Sequence, residues 1–183
     1  MIDLWMSIYL DKKNSNMRYN NDQHIELFTK NQALKSKNQT GFHILADEKR
    51  TLLKFERVIA DQIHWTYRDL YALILYKFSQ SKISIDQYFN VFNLLHSKLA
   101  SISQKVNSDP EKIHLFEYDS SAKDFEDIIE GLLGNCRDFE PDDLERLDWE
   151  LSEPQMKELA ASALQQIQDY YKLAIFKPFP GKT

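Results

Sequence analysis

The sequence has few of the residues that interrupt helices or form disulfides, with four glycines, five prolines and one cysteine among 183 residues. Turn-rich β architectures need more glycine and proline, so this scarcity favours helices. Because Cys136 is the only cysteine, an internal disulfide framework is excluded and a reducing compartment is predicted.

Membrane segments are also missing from the sequence. No apolar run approaches the ~18 residues that a membrane span needs. The opening MIDLWMSIYL is apolar, but it contains Asp3 and has no basic segment before it, so it makes a poor signal peptide. We therefore expect a soluble cytoplasmic protein that makes no contact with a membrane.

Motifs that carry chemistry are absent as well. The four glycines are scattered, so no glycine-rich phosphate loop can form. The five histidines show none of the usual zinc-ligand spacings, and the Glu-x-x-His pairs of di-metal bundles do not occur. Cys136 beside Arg137 resembles an activated nucleophile, but a half-buried cysteine after a helix end is the favoured interpretation. We expect no catalysis, no metal and no cofactor.

Charge is present in abundance but is unevenly distributed. Residues 117–153 contain 14 acidic and three basic side chains, a formal charge of −11, whereas the rest of the chain carries +6. This asymmetry predicts an acidic surface that meets a basic partner, or a solvated face that only aids solubility. The basic residues before Ser108 are scattered rather than clustered, so nucleic acid is not expected as a ligand.

The clearest periodic signal is a helix from Ser84 to about Val106. Its apolar residues recur at steps of three and four: Ile85, Tyr88, Phe92, Leu95, Leu99, Ile102 and Val106. Ser84 and Gln87 have the spacing of a capping box, which marks the helix start. So narrow an apolar stripe packs against other helices, and we predict a bundle built around it.

Weaker signals indicate five further helices, over residues 22–37, 47–63, 65–81, 119–133 and 152–172. Asp47 is predicted to cap the second of the six helices, and Ser152 with Gln155 to open the last. Gly134 and Asn135 are a typical helix stop after residue 133. The helix over 65–81 is apolar nearly all round, so we expect it to be buried on several sides.

These signals define an all-α fold. We predict an antiparallel helical bundle with a four-helix core and an N-terminal helical extension. Its expected divisions are a partly irregular extension over residues 1–45, the bundle over 46–175 and a tail over 176–183.

Three sequence pieces, in order, resemble a known family: LYALILYKFSQSKISIDQYFNVFNLL, FEDIIEGLLGNCRDFEPDD and LSEPQMKELAASALQQI. The first is a buried helix, a short turn and the start of a long helix. The second is a helix followed by an aromatic and acidic loop, and the third is a capped final helix. Together they resemble the immunity proteins of colicin D type, and related immunity proteins of contact-dependent growth inhibition systems, over about Trp65 to Tyr171.

The resemblance implies a protein that neutralises the nuclease domain, expected to cleave tRNA, of a bacteriocin or contact-dependent toxin. An acidic surface would occupy the basic active site and keep RNA out. The positions that match the acidic part of the family pattern are Asp127, Glu130, Asp138, Glu140, Asp142 and Asp143. We expect Phe139 or Trp149 to be an apolar anchor at the centre of the contact.

Two other functions fit the same sequence. One is a non-catalytic helical adaptor or regulator that uses its acidic face on another basic protein. The other is an enzyme that uses the carboxylates of residues 124–143 with a metal. The oligomeric state stays open.

Overall fold

The computed structural model describes residues 19–36, 45–142 and 144–171, with side chains as far as Asp169. Within these residues the helices are α1 Asn21–Lys35, α2 Ala46–Thr66, α3 Arg68–Ser79, α4 Ile85–Asn107, α5 Pro110–His114, α6 Phe125–Arg137 and α7 Glu153–Tyr171. A 3-10 turn, Ser120–Ala122, precedes α6. The described residues form no strand, and the predicted all-α helical fold is confirmed.

Helix α4 begins as its sequence predicts. The Gln87 amide donates to Ser84 Oγ at 3.2 Å, and the Ser84 amide donates to Gln87 Oε1 at 3.0 Å, which completes the capping box. Tyr88, Phe92 and Leu99 on the predicted stripe are fully buried. The helix packs on α2, α3 and α5, so the stripe is an internal seam of the bundle.

The main core lies among α3, α4, α6 and α7. Its largest fully buried side chains include Tyr71, Phe78, Tyr88 and Phe125. The Phe78 and Tyr88 rings stack with centroids 4.2 Å apart, which ties α3 to α4. Helix α3 also makes extensive contact with α7. Burial of α3 by two neighbours explains why its sequence is apolar on most sides.

Helix α2 joins this core to the N-terminal part of the chain. It packs on α4 and α6 through one part of its surface and on α1 through another. Leu27, Leu52 and Phe55 form a second, smaller apolar cluster between α1 and α2. The Asn21 side-chain amide donates to the carbonyl of Ile113 at 2.7 Å, which fastens α1 to α5.

Several predicted helix ends are wrong. Asp47 lies in the first turn of α2 rather than at its cap, because Leu45 takes that position and its amide donates to Glu48 at 3.2 Å. Helix α6 runs past Gly134 to Arg137, since glycine is only weakly unfavourable within a helix that packing holds in place. The predicted boundary before residue 65 is also wrong, because α2 continues to Thr66.

The predicted tail over residues 176–183, and the parts of the predicted extension over residues 1–18 and 37–44, lie outside the described residues.

Candidate protein-interaction site

The predicted partner-binding residues fall into two regions of the structure. Asp127 and Glu130 belong to α6 and lie in a polar seam, which we define by the residues Arg57, Asp61 and His64 of α2, Tyr71 of α3, His96 of α4, and Glu126, Asp127 and Glu130 of α6. The other predicted residues lie in an acidic loop between α6 and α7. We define this loop as residues 138–142 and 144–150, since Asp143 lies outside the described residues.

The two predicted carboxylates of the seam have partners within the chain. Asp127 forms a partly buried ion pair with Arg57. Glu130 Oε1 lies 2.8 Å from His96 Nε2, and this hydrogen bond lowers the pKa of Glu130. Because both side chains are engaged by neighbouring helices, we leave Asp127 and Glu130 out of the proposed contact surface.

Asp61 is the seam residue that the sequence analysis missed. The residue is only 4% exposed, and its carboxylate accepts hydrogen bonds from the backbone amides of Glu126 at 2.8 Å and Asp124 at 3.2 Å. It therefore caps the start of α6 from a different helix. No local pattern reveals such a cap, because the partners are more than 60 positions apart in the sequence.

Burial controls protonation in the seam. It raises the pKa of Asp61 to about 6. The pKa of Glu126 rises to about 7, because of burial and then the nearby Asp61 charge. His64 hydrogen-bonds through Nδ1 to the Tyr71 hydroxyl at 2.8 Å, and burial lowers its pKa to about 4. These shifts follow from packing ionisable groups between helices.

Backbone hydrogen bonds join the two ends of the acidic loop. Phe139 and Leu151 form a parallel β-bridge, in which the Leu151 amide donates to the Asp138 carbonyl at 2.6 Å and the Glu140 amide donates to the Leu151 carbonyl at 3.1 Å. The Phe139 ring packs edge-on against the Phe89 ring, with the two ring centroids 5.2 Å apart, and contacts the main core. Phe139 therefore anchors the loop to its own bundle, which argues against its predicted role as an anchor for a partner.

Side chains of the loop also fix its backbone. Asp142 Oδ1 accepts the Leu144 amide at 2.8 Å, and Glu150 Oε2 accepts the Leu147 amide at 2.8 Å. Aspartate stabilises turns in this way by bonding to an amide two residues on. These bonds fix the backbone in the described parts of the loop.

The loop presents both charge and apolar surface to solvent. Its six carboxylates and one guanidinium give the described residues a formal charge of −5. Asp138 and Asp142 are exposed, and Glu140 is half-buried. Leu144 is 96%, Leu147 55% and Trp149 64% exposed. Of the two predicted anchors, Trp149 is the one that a partner can reach.

No family model, curated protein or solved structure matches this chain. The resemblance to immunity proteins therefore depends on the residues quoted above and stays a prediction. Among the described residues, no helix is both long and apolar enough to cross a membrane.

Two further observations concern the metal enzyme and the cysteine nucleophile that the sequence raises as alternatives. No group of three or more His, Cys, Asp or Glu among them could hold a metal ion. Burial raises the pKa of Cys136 to about 11, which disfavours the thiolate that a nucleophile needs. An open depression of about 490 Å³ lies between Tyr19 and His114, away from both acidic regions.

Proposed function

We propose that this chain is a cytoplasmic immunity protein, without catalytic activity, that neutralises a cognate nuclease toxin. In this proposal the acidic loop covers the basic active site of a bacteriocin or contact-dependent toxin that cleaves RNA, tRNA being the expected target. The single observation that carries it is the outward-facing, internally bonded acidic loop, with its formal charge of −5.

The physical argument concerns what a nuclease must offer. An enzyme that grips phosphates needs lysine and arginine around its cleft. Clustered carboxylates accelerate encounter with such a cleft and compete with the phosphates for it. Because the loop backbone is already fixed by Asp142 and Glu150, less conformational entropy is lost on binding than for a disordered acidic segment.

The test is co-expression with the toxin domain encoded by the adjacent gene, scored by cell growth. The informative variant changes Asp138, Glu145 and Asp148 to lysine, because none of these side chains makes the loop-fixing bonds of Asp142 and Glu150. A matched control changes the exposed Glu26, Asp69 and Glu158 on other helices to lysine. Both triple variants alter the formal charge equally.

We expect the wild type and the control to restore growth and the loop variant to fail. If no nuclease toxin is encoded beside this chain, or if the wild type does not protect, the immunity function is wrong. If the loop variant protects as well as the control, the acidic loop is not the contact surface.

The same loop favours one second candidate, a non-catalytic adaptor or regulator that binds another basic protein. Only the identity of the basic partner differs, because a preformed acidic loop does not discriminate among cationic surfaces by charge alone. Stable binding to such a protein, with no protection against a toxin, would select this candidate.

A further inference from the structure

Exposed apolar side chains are concentrated in the acidic loop. The described residues include ten large apolar side chains that are exposed, and three of them fall within the six positions from 144 to 149. Single exposed apolar residues are normal on a protein surface, but several together mark a contact site. The described helices, which contain most of the apolar residues, show no comparable run of exposed side chains.

The exposure of these side chains is built into the backbone. The Leu144 amide is held by Asp142 and the Leu147 amide by Glu150. The Glu150 amide in turn donates to the Leu147 carbonyl at 2.9 Å, which closes a turn around Trp149. The loop backbone is thus fixed at three amides in a conformation that leaves Leu144, Leu147 and Trp149 exposed to water.

We propose that Leu144, Leu147 and Trp149 are apolar anchors that enter an apolar cleft on the basic face of the nuclease domain. This inference rests on the proposed function and adds a second requirement to the partner. The nuclease must combine a cationic rim with an apolar cleft, because the anchors are surrounded by the carboxylates of the same loop. Tryptophan is among the residues that most often dominate binding energy at the centre of an interface.

Charge argues against two other occupants of this surface. In a second copy of this chain, one loop of charge −5 would face another of the same sign, which costs free energy. An anionic membrane surface would repel the same carboxylates. A cationic protein surface satisfies both the charges and the apolar side chains.

The two contributions to affinity respond differently to salt. Screening weakens contacts between exposed charges, whereas burial of apolar area continues at high salt. Loss of the anchors should therefore weaken binding by a similar factor at every salt concentration. Loss of the carboxylates should weaken binding chiefly at low salt.

The test is calorimetric titration of the full chain into a catalytically inactivated toxin domain from the adjacent gene, at about 0.1 M and about 0.5 M salt. The anchor variant changes Leu144, Leu147 and Trp149 to serine. The matched control changes Leu53, Leu94 and Leu115, which are exposed elsewhere, to serine. Circular dichroism verifies that each variant is folded.

We expect the anchor variant to bind about 100-fold more weakly at both salt concentrations. The control should bind within about threefold of the wild type. If the wild type itself does not bind, the proposed function fails. If the wild type binds and the anchor variant binds equally well, or if the control weakens as much, only the anchor inference is overturned. A wild-type dimer that the anchor variant abolishes would also overturn it.

Discussion

The α6 part of the polar seam lies next to the acidic loop in the sequence, but the two regions use their carboxylates in different ways. In the seam, Asp127 and Glu130 face a cation or an imidazole from another helix, and Asp61 caps α6 across the helix interface. In the loop, Asp142 and Glu150 bond only to nearby backbone amides, and several neighbouring carboxylates are exposed. The number of acidic residues therefore does not determine which of them have a partner on another helix.

The difference follows from the apolar residues that flank each region. Phe125, Ile129 and Leu132 fix one face of α6 in the core, which turns the adjacent carboxylates toward α2 and α4. In the loop, Phe139 and Leu151 enter the core only at the two ends. The described residues between them, including Leu144, Leu147 and Trp149, do not pack on the core.

The largest expected effect concerns the carboxylates that accept backbone amides, Asp61 in the seam and Asp142 in the loop. Asp61→Ala removes the buried acceptor of two α6 amides, and we expect it to lower the free energy of unfolding by about 2 kcal/mol. Asp142→Ala removes an acceptor at the surface and should cost less than about 0.5 kcal/mol, because water replaces it. Urea unfolding of both variants measures the difference. Equal losses would show that Asp61 is not a structural cap.

A smaller effect is expected from the ion pair of the seam. Arg57→Met leaves Asp127 partly buried without its guanidinium, so we expect a loss of about 1 to 2 kcal/mol in unfolding free energy. Arg50→Met breaks an exposed pair with Asp47 and should change stability by less than about 0.5 kcal/mol. Thermal unfolding of the two variants at low salt makes the comparison. An Arg57 variant as stable as the Arg50 variant would contradict a structural role for the seam.

The seam also predicts a specific pH dependence. Glu126 has an ordinary pKa of 4.5 that is raised to about 7 in the folded chain. Between these values the folded chain keeps a proton that the unfolded chain has lost, so this group lowers stability as pH rises through that window. Glu126→Gln removes the free-energy cost of ionising this carboxyl in the folded chain. At about pH 8 the variant should therefore be more stable than the wild type by more than about 1 kcal/mol.

His64 also affects how stability depends on pH, but it is present in both proteins, so its effect cancels when the wild type and Glu126→Gln are compared. The lowered pKa of His64 makes the free energy of unfolding rise with pH, because the unfolded chain binds a proton that the buried ring does not bind. Unfolding measured from about pH 4 to about pH 8 should show the two proteins converging at low pH. If the free energies of unfolding of the two proteins differed by a constant amount across this pH range, the raised pKa of Glu126 would be contradicted.

The smallest effect on stability is expected from the loop anchors. Trp149→Ala removes an exposed side chain, so we expect the free energy of unfolding to change by less than about 0.5 kcal/mol. Phe139→Ala instead removes a ring that touches the core and should cost at least about 1 kcal/mol. Chemical unfolding distinguishes them. A large loss for Trp149 would mean that this side chain supports the fold.

Sequence reasoning succeeded for α4 and α7, where the deciding contacts are local, although the local signals at Asp47 and Gly134 misplaced two helix ends. The stripe and capping box of α4 depend on residues three or four positions apart, and the Ser152 cap of α7 is likewise local: the Ser152 amide donates to Gln155 Oε1 at 2.8 Å. These features are therefore visible in the sequence.

Long-range features could not be predicted in this way. The cap that Asp61 provides, the Arg57 pair with Asp127 and the bridge between Phe139 and Leu151 each need the folded chain. For this reason the sequence predicts Asp127 and Glu130 on the same surface as the loop, although side chains of α2 and α4 bind them. The partial burial of Phe139 likewise depends on the folded chain rather than on its neighbours in the sequence.

The most direct test is backbone hydrogen exchange of the full chain, alone and with the inactivated toxin domain of the adjacent gene. If the loop is the contact surface and the seam is structural, amides at residues 138–150 should exchange more slowly in the complex. Amides at residues 124–130 should then exchange at the same rate in both samples. Slowed exchange elsewhere on the bundle, with the loop unchanged, would contradict the division between the two regions.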